Sequence, residues 1–235
     1  MVQLTQDRPY ITLRVKFKKV GALQYISHLD LVRTMHKIIV RAKLPLWYTE
    51  GFNPKPKMVF AAPLSIGTES VTEFMDLKLI DDIPAEEAMR RLNENMTDEM
   101  QVIEAYYTET KQTELKWLEY DISISTLGAD PSLAKKCADV LLADSVVVAK
   151  KGKPGEEIKY MDIRSLIKSV SSEYSDGRIF IRCVLSADAS AFLNPEYVVK
   201  ALREAAGILS CEDITKEYYT ILRTKAYKED MTPFR

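Results

Sequence analysis

An α+β fold of two tandem βαββαβ domains with antiparallel sheets follows from three features of the 235-residue sequence. Stretches of apolar-polar alternation recur along it, stretches of helical spacing separate them, and both halves can be read in that order. Helices can then cover one face of each sheet, which is the ferredoxin-like arrangement.

The first half opens with ITLRVKFKK at 11–19, where Ile11, Leu13, Val15 and Phe17 alternate with polar neighbours at the period of a half-buried strand. A helix follows. Ser27 is a good N-cap, Asp30 stands three positions on in a variant of the capping box, and Leu31, Met35, Ile38 and Ala42 recur at helical spacing. Short strands are expected near 45–49 and 57–62, flanking the corner EGFNPKPK at 50–57. EFMDLKLI at 73–80 alternates less cleanly, Pro84 opens the helix AEEAMRRLNENM with glutamates in its first turn, and QVIEAYYTE at 101–109 closes the half as a strand.

The second half begins with the strand WLEYDISIS at 117–125, after which Asp130 and Pro131 cap a helix through Leu142. SVVVAKK at 145–151 and EIKYMD at 157–162 bracket the turn KGKPGE, and Ile163 to Val170 reads as a short extra helix. GRIFIRCVLSA at 177–187 is the clearest strand of the chain, NPEYVVKALREA begins a helix, and ITKEYYTIL at 214–222 ends the half as a strand. The polar stretch Lys111 to Glu114 is the expected joint, giving domains at 1–112 and 113–235.

Composition excludes several classes. Cys137, Cys183 and Cys211 are far apart with no CxxC, so neither a disulfide framework nor a local zinc or iron-sulfur motif is present, and a reducing compartment is expected. No signal-peptide pattern opens the chain and no apolar run approaches the roughly 20 residues of a spanning helix, so the expectation is a cytoplasmic protein with no membrane partner. GxxxxGK[ST], GxSxG and HExxH are absent, and no metal or cofactor is expected. The formal net charge of −1 is unevenly spread. Residues 1–60 hold 11 Lys and Arg against 3 Asp and Glu, residues 61–150 hold 8 against 18, and residues 151–235 hold 14 against 13. Concentrated positive charge attracts phosphate backbones even on a neutral molecule. The alternative is a basic edge that docks onto the acidic segment of the same chain.

The candidate site lies in the basic third. His28 and His36 are the only histidines, and eight positions on a helix separate them by about 80° and two turns, poor geometry for one metal. His28 follows Ser27 at the helix start, where it can serve as a general base or as part of the cap, and where backbone N–H groups can receive an anion. Arg33, Lys37 and Arg41 follow at intervals of four with Asp30 three before Arg33, so the four point roughly the same way. The adjacent corner adds Asn53, Lys55 and Lys57, braced by Pro54 and Pro56, with Gly51 free to adopt a conformation barred to other residues. Phe52, Trp47 and Tyr48 can stack on bases or pack as core. Glu73 and Asp76, three apart in a strand, face opposite ways and form no carboxylate pair.

YISHLDLVRTMHKIIVRAKLP, YTEGFNPKPKMVFAAPLSIGTES and EFMDLKL, with later YMDIRSLI, NPEYVVKAL and ILRTKAY, together resemble the radical-SAM-linked protein family over nearly the whole chain. The resemblance marks Ser27, His28, Asp30, Arg33, Arg41, Gly51, Phe52, Asn53, Pro54, Pro56 and Lys57, then Pro63, Gly67, Ser70, Glu73 and Asp76. It departs at Lys43, where the family often shows glycine. The resemblance implies a radical SAM protein as partner and assigns no reaction. The chain itself lacks the clustered thiolates of a radical SAM catalyst.

The leading expectation is an RNA-binding or RNA-substrate-presenting accessory protein, with Arg33, Lys37, Arg41, Asn53, Lys55 and Lys57 on RNA or an anion and the acidic middle on a protein partner. One alternative is a metal-independent enzyme centred on His28 and Asp30 with Asn53, acting on RNA or a small anion. The other is a protein-interaction scaffold.

Overall fold

The computed structural model describes residues 10–150, 157–211 and 213–235. The protein is α+β, with four α-helices among the described residues and antiparallel strand pairing within each of two compact units, Met1–Glu114 with Arg235 and Leu115–Phe234. The KGKPGE turn lies outside the described residues.

In the first unit, β1 (Ile11–Lys19) leads through a 3-10 turn at Gly21–Tyr25 into α1 (His28–Arg41). β2 (Met58–Phe60) and β3 (Thr68–Leu79) follow, then α2 (Ala85–Asn93) and β4 (Val102–Tyr107). β1 lies between β4 and β3, and β2 pairs with the other side of β3. The register puts Val15 opposite Met75 and Leu13 opposite Leu77, so one face of the sheet is apolar. Against it α1 buries Leu31, Met35, Ile38 and Ile39, and α2 buries Ala88 and Leu92. Burying each large apolar side chain of this set contributes about 1.5–3 kcal/mol.

The alternate face of β1 is polar, and it reinterprets the basic third. Arg14 is fully buried opposite Asp76, and Lys16 pairs with Glu104 at 3.1 Å. Lys19 is also buried, its ammonium donating to the Leu23 carbonyl at 3.1 Å. Part of the positive charge therefore serves the unit's own acidic residues. Glu73 lies opposite Phe17 and Asp76 opposite Arg14, on alternate faces of β3, and both carboxylates are buried.

Two local expectations change. Residues 45–49 form isolated bridges, Leu46 to Leu79 and Tyr48 to Pro56, in place of a strand, because Pro56 has no N–H to extend a ladder. Lys43, just beyond the helix cap Ala42, adopts φ 50°, the left-handed conformation for which glycine is the usual occupant of that position.

The second unit runs β5 (Trp117–Ser125), α3 (Pro131–Leu142), β6 (Val147–Lys150), β7 (Lys159–Asp162), β8 (Ile167–Ser175), β9 (Arg178–Ser186), α4 (Glu196–Ala206) and β10 (Tyr218–Tyr227). Its sheet order is β10-β5-β9-β8, with β6 and β7 as a separate hairpin. The helix expected over 163–170 is a single 3-10 turn, Arg164–Leu166, followed directly by β8. Ile163, Leu166, Ile167 and Val170 have helical spacing, but antiparallel pairing of 169–175 with β9 prevails over that local pattern. The last strand begins at Tyr218 rather than 214, because Thr215 is held in a turn by the Asp213 carboxylate.

Candidate functional site

The start of α1 is a closed electrostatic unit. The Ser27 hydroxyl accepts the Asp30 N–H at 3.1 Å and donates to Asp30 Oδ2 at 2.7 Å, while Arg33 Nη1 donates to Asp30 Oδ1 at 3.2 Å. The Ser27 hydroxyl and then Arg33 hold the Asp30 carboxyl below its ordinary range. A carboxylate thus already answers the positive end of the helix. Ser27 is the N-cap, and the Asp30 carboxylate is bonded to Ser27 and Arg33.

His28 is exposed and stands edge-on to Phe60, with ring centroids 5.3 Å apart and planes at 83°. Phe60 in turn meets Phe17 edge-on at 6.2 Å, so the imidazole caps an aromatic series that runs into the core. Successive helical residues turn by ~100°, which sends His28 and Asp30 out on nearly opposite sides and places Lys37 about half a revolution from His28. The structure therefore groups Asp30, Arg33, Lys37 and Arg41 on the exposed face and leaves His28 on the side of the sheet. His36 is half-buried between the two. Among the described residues no group of three or more His, Cys, Asp or Glu is gathered to hold a metal ion.

The EGFNPKPK corner is the tip of a finger. Trp47 N–H donates to the Lys78 carbonyl at 2.8 Å, Lys57 N–H to the Trp47 carbonyl at 3.0 Å, and Thr49 N–H to the Lys55 carbonyl at 2.9 Å. Those bonds zip the two stems together from the end of β3 outward. The Thr49 hydroxyl accepts the Lys55 N–H at 3.1 Å and closes the ladder. Beyond it residues 50–54 make no hydrogen bond among the described residues, and Gly51 turns the chain at φ 118°. Pro56 is buried at the base, whereas Asn53, Pro54, Lys55 and Lys57 are exposed.

The three aromatics of this region have different fates. Trp47 packs at the base against Tyr10, with centroids 5.8 Å apart, and Tyr48 is partly exposed. Phe52 is fully exposed at the tip.

A short connection joins α1, which carries one group of cations, to the finger, which carries the other. Ile80 N–H donates to the Pro45 carbonyl at 2.8 Å, fixing the base of the finger to the end of β3. Leu46 lies five positions on from Arg41, a reach of at most ~18 Å. No hydrogen bond or ion pair joins Asn53, Lys55 or Lys57 to Arg33, Lys37 or Arg41 among the described residues. Lys37, Arg41, Lys43, Lys55 and Lys57 are exposed, and none has a carboxylate within 4.0 Å among the described residues.

Sequence reading overlooked two charged arrangements. Arg14 holds Asp76 through two hydrogen bonds, 2.7 and 3.0 Å, and donates to the Thr110 hydroxyl at 2.8 Å. Strand alternation alone was the available signal, since it places Arg14 and Asp76 on the face away from the helices. In the second unit, a cavity of about 190 Å³ opens beside Asp121, Ser171, Glu173, Phe180 and Arg182. Arg182 is held there by Asp121 at 2.7 and 3.0 Å, which raises the guanidinium pKa and leaves no free cation for an anion. No helix among the described residues is long and apolar enough to cross a membrane.

These features define an α+β protein whose first unit carries a basic helix face and a projecting, cation-bearing finger. The chain belongs to the bacterial family described as "Uncharacterized protein conserved in bacteria (DUF2344)", whose model matches residues 12–195. No curated protein matches it. Among solved structures it is similar to a chain in the crystal structure of a Cbf5-Nop10-Gar1 complex, at 13% identity and a TM-score of 0.52. That match covers 93% of this chain and 50% of the other, so this chain spans half the length of that neighbour, and the likeness is one of fold. A match to an unknown protein from Galdieria sulphuraria covers 92% of this chain and 99% of that one, at 10% identity and a TM-score of 0.26.

Proposed function

We propose that the protein binds RNA through the outer face of α1 and the finger, and presents it to a protein partner. The observation that carries this reading is unanswered charge. Arg14, Lys16 and Arg33 have carboxylate partners, whereas Lys37, Arg41, Lys43, Lys55 and Lys57 have none among the described residues and stand in solvent. Like charges left along one helix face repel, and a phosphate backbone relieves that repulsion while releasing its own counterions.

The test is fluorescence anisotropy with labelled RNA at 50, 100 and 200 mM salt, beside a Lys37→Glu, Lys55→Glu and Lys57→Glu variant. The affinity of the parent is expected to fall steeply with salt, by a log-log slope of about −0.7 for each phosphate neutralised on a single strand. The folded variant is expected to bind at least tenfold more weakly with a shallower slope. Equal binding by parent and variant would rule out this surface.

Two finer readings accompany the proposal. We read both units as ferredoxin-like, β4-β1-β3-β2 in the first and β10-β5-β9-β8 in the second, with the β6–β7 hairpin as an insertion. Such units host many activities, so this reading favours no chemistry. The radical-SAM-linked resemblance supplies the partner class, a radical SAM protein meeting the acidic stretch 61–150. Its test is co-purification from cell extract: the partner is retained by the triple variant that loses RNA, and loss of both together counts against separate surfaces.

A further inference from the structure

We infer that Phe52 is a stacking platform for an unpaired nucleobase, which makes the finger a reader of single-stranded RNA. This rests on the RNA reading above and narrows it to one structural class of ligand.

The inference starts from where the fold puts an apolar ring. Phe52 is fully exposed, although Phe17, Phe74 and Phe234 are all buried and Phe60 is packed against Phe17. Holding a phenyl ring in water forgoes the stabilisation that burial gives. The finger also carries the ring at its end. Its stems are zipped as far as Thr49 and Lys55, Pro54 and Pro56 restrict the chain that follows the tip, and Gly51 makes the turn at φ 118°. The ring is therefore presented by a braced support.

Its surroundings select among ligands. Lys55 and Lys57, exposed and without carboxylate partners among the described residues, lie three and five residues from the ring on one stem. Asn53 is its immediate neighbour and can both donate and accept hydrogen bonds. An aromatic face for a base, an amide for a base edge and two ammonium groups for a backbone are the components by which proteins hold single strands. Inside a duplex the bases are already stacked on each other and leave no face for Phe52, so along its length only the cations would act on it.

The experiment compares a 12-nucleotide RNA single strand with its blunt duplex, using the parent protein and Phe52→Ala, Phe52→Trp and Lys55→Glu/Lys57→Glu variants. Circular dichroism melts establish that each variant is folded. Phe52→Ala is expected to weaken single-strand binding roughly tenfold, in the range seen when one base-stacking aromatic is removed, and to leave duplex binding and the salt slope unchanged. Phe52→Trp is expected to restore affinity, with indole fluorescence quenched when the strand binds and unquenched with the duplex. Unchanged single-strand binding by Phe52→Ala, or absence of quenching in Phe52→Trp, overturns the stacking role. If Lys55→Glu/Lys57→Glu still loses binding in that case, the RNA reading stands without Phe52. Failure of the parent to bind either RNA at 50 mM salt removes both.

Discussion

Arg14 on β1 and Asp76 on β3 face each other as a two-pronged ion pair, Nε to Oδ1 at 2.7 Å and Nη2 to Oδ2 at 3.0 Å, with the arginine wholly buried. Removing Asp76 leaves the fully buried Arg14 guanidinium without this counter-charge. Asp76→Ala is expected to destabilise the protein by about 3–5 kcal/mol in urea unfolding. An Arg14→Leu/Asp76→Leu double variant is expected to lose less, since no bare charge remains. A single variant within 1 kcal/mol of the parent would show that the pair is solvated in solution.

Lys43 occupies φ 50° immediately after α1. A side chain in the left-handed region costs roughly 1–2 kcal/mol, part of which glycine gives back through the flexibility of the unfolded chain. Lys43→Gly is therefore expected to stabilise the protein by about 0.5–1 kcal/mol, read as a higher midpoint in thermal melts. A lower midpoint would mean that the lysine side chain has a compensating role.

Acid should loosen the second unit through Glu217. Its carboxylate accepts from the Thr126 hydroxyl, from the Cys211 N–H and, at 2.8 Å, from the Leu127 N–H, and these bonds, the hydroxyl foremost, lower its pKa below 4.5. A carboxyl whose folded pKa is lowered stabilises the fold above its unfolded value and loses that contribution as pH falls through the folded one. Stability should thus be level from neutral pH to about 5 and decline below about 4.5. Glu217→Gln should start lower at pH 7 and lose less between pH 5 and pH 3. Parallel acid limbs in urea titrations of parent and variant would contradict the assignment.

The three cysteines should separate in a thiol-labelling time course. Burial pushes the Cys137 thiol up to about 11 and raises Cys183 further, while Cys211 is only half-buried. Since the thiolate is the reactive form, one equivalent is expected to label quickly in the native protein and three after denaturation in guanidinium. Rapid labelling of all three in the native state would show that the α3 and β9 environments open readily.

The elements that sequence made legible were those whose local pattern and tertiary role agree. β1 is bounded as its alternation indicates, and Ser27 and Asp30 mark the start of α1 through the same hydrogen bonds that cap it. β8 was hidden because Ile163, Leu166, Ile167 and Val170 repeat at a helical interval, although the Asp176-Gly177 turn that pairs it with β9, both residues at positive φ, is a local hairpin signal that could have revealed it. The site was legible as a list of residues and less so as an arrangement. Helical spacing already implied that Asp30, Arg33, Lys37 and Arg41 share a face, but the opposite heading of His28 mattered only once Phe60 was seen beside it. Likewise the net charge of the first sixty residues could not separate Arg14, inside the unit, from Lys55, out on the finger.

The ladder of the finger ends at Thr49 and Lys55, and what lies beyond it is little tied to the demands of folding. Residues 50–54 make no hydrogen bond among the described residues, so, apart from Gly51 with its φ of 118°, replacing their side chains should leave folding almost untouched. If the tip binds RNA as proposed, its side chains answer to that ligand, while those of the stems answer to the fold. On the RNA reading, a substitution at 52 or 53 acts on what the tip binds, whereas one at 47 or 56 acts on how the finger is anchored. The same separation makes the tip exchangeable: five residues from another member of the family can be grafted onto these stems and should carry that member's preference with them.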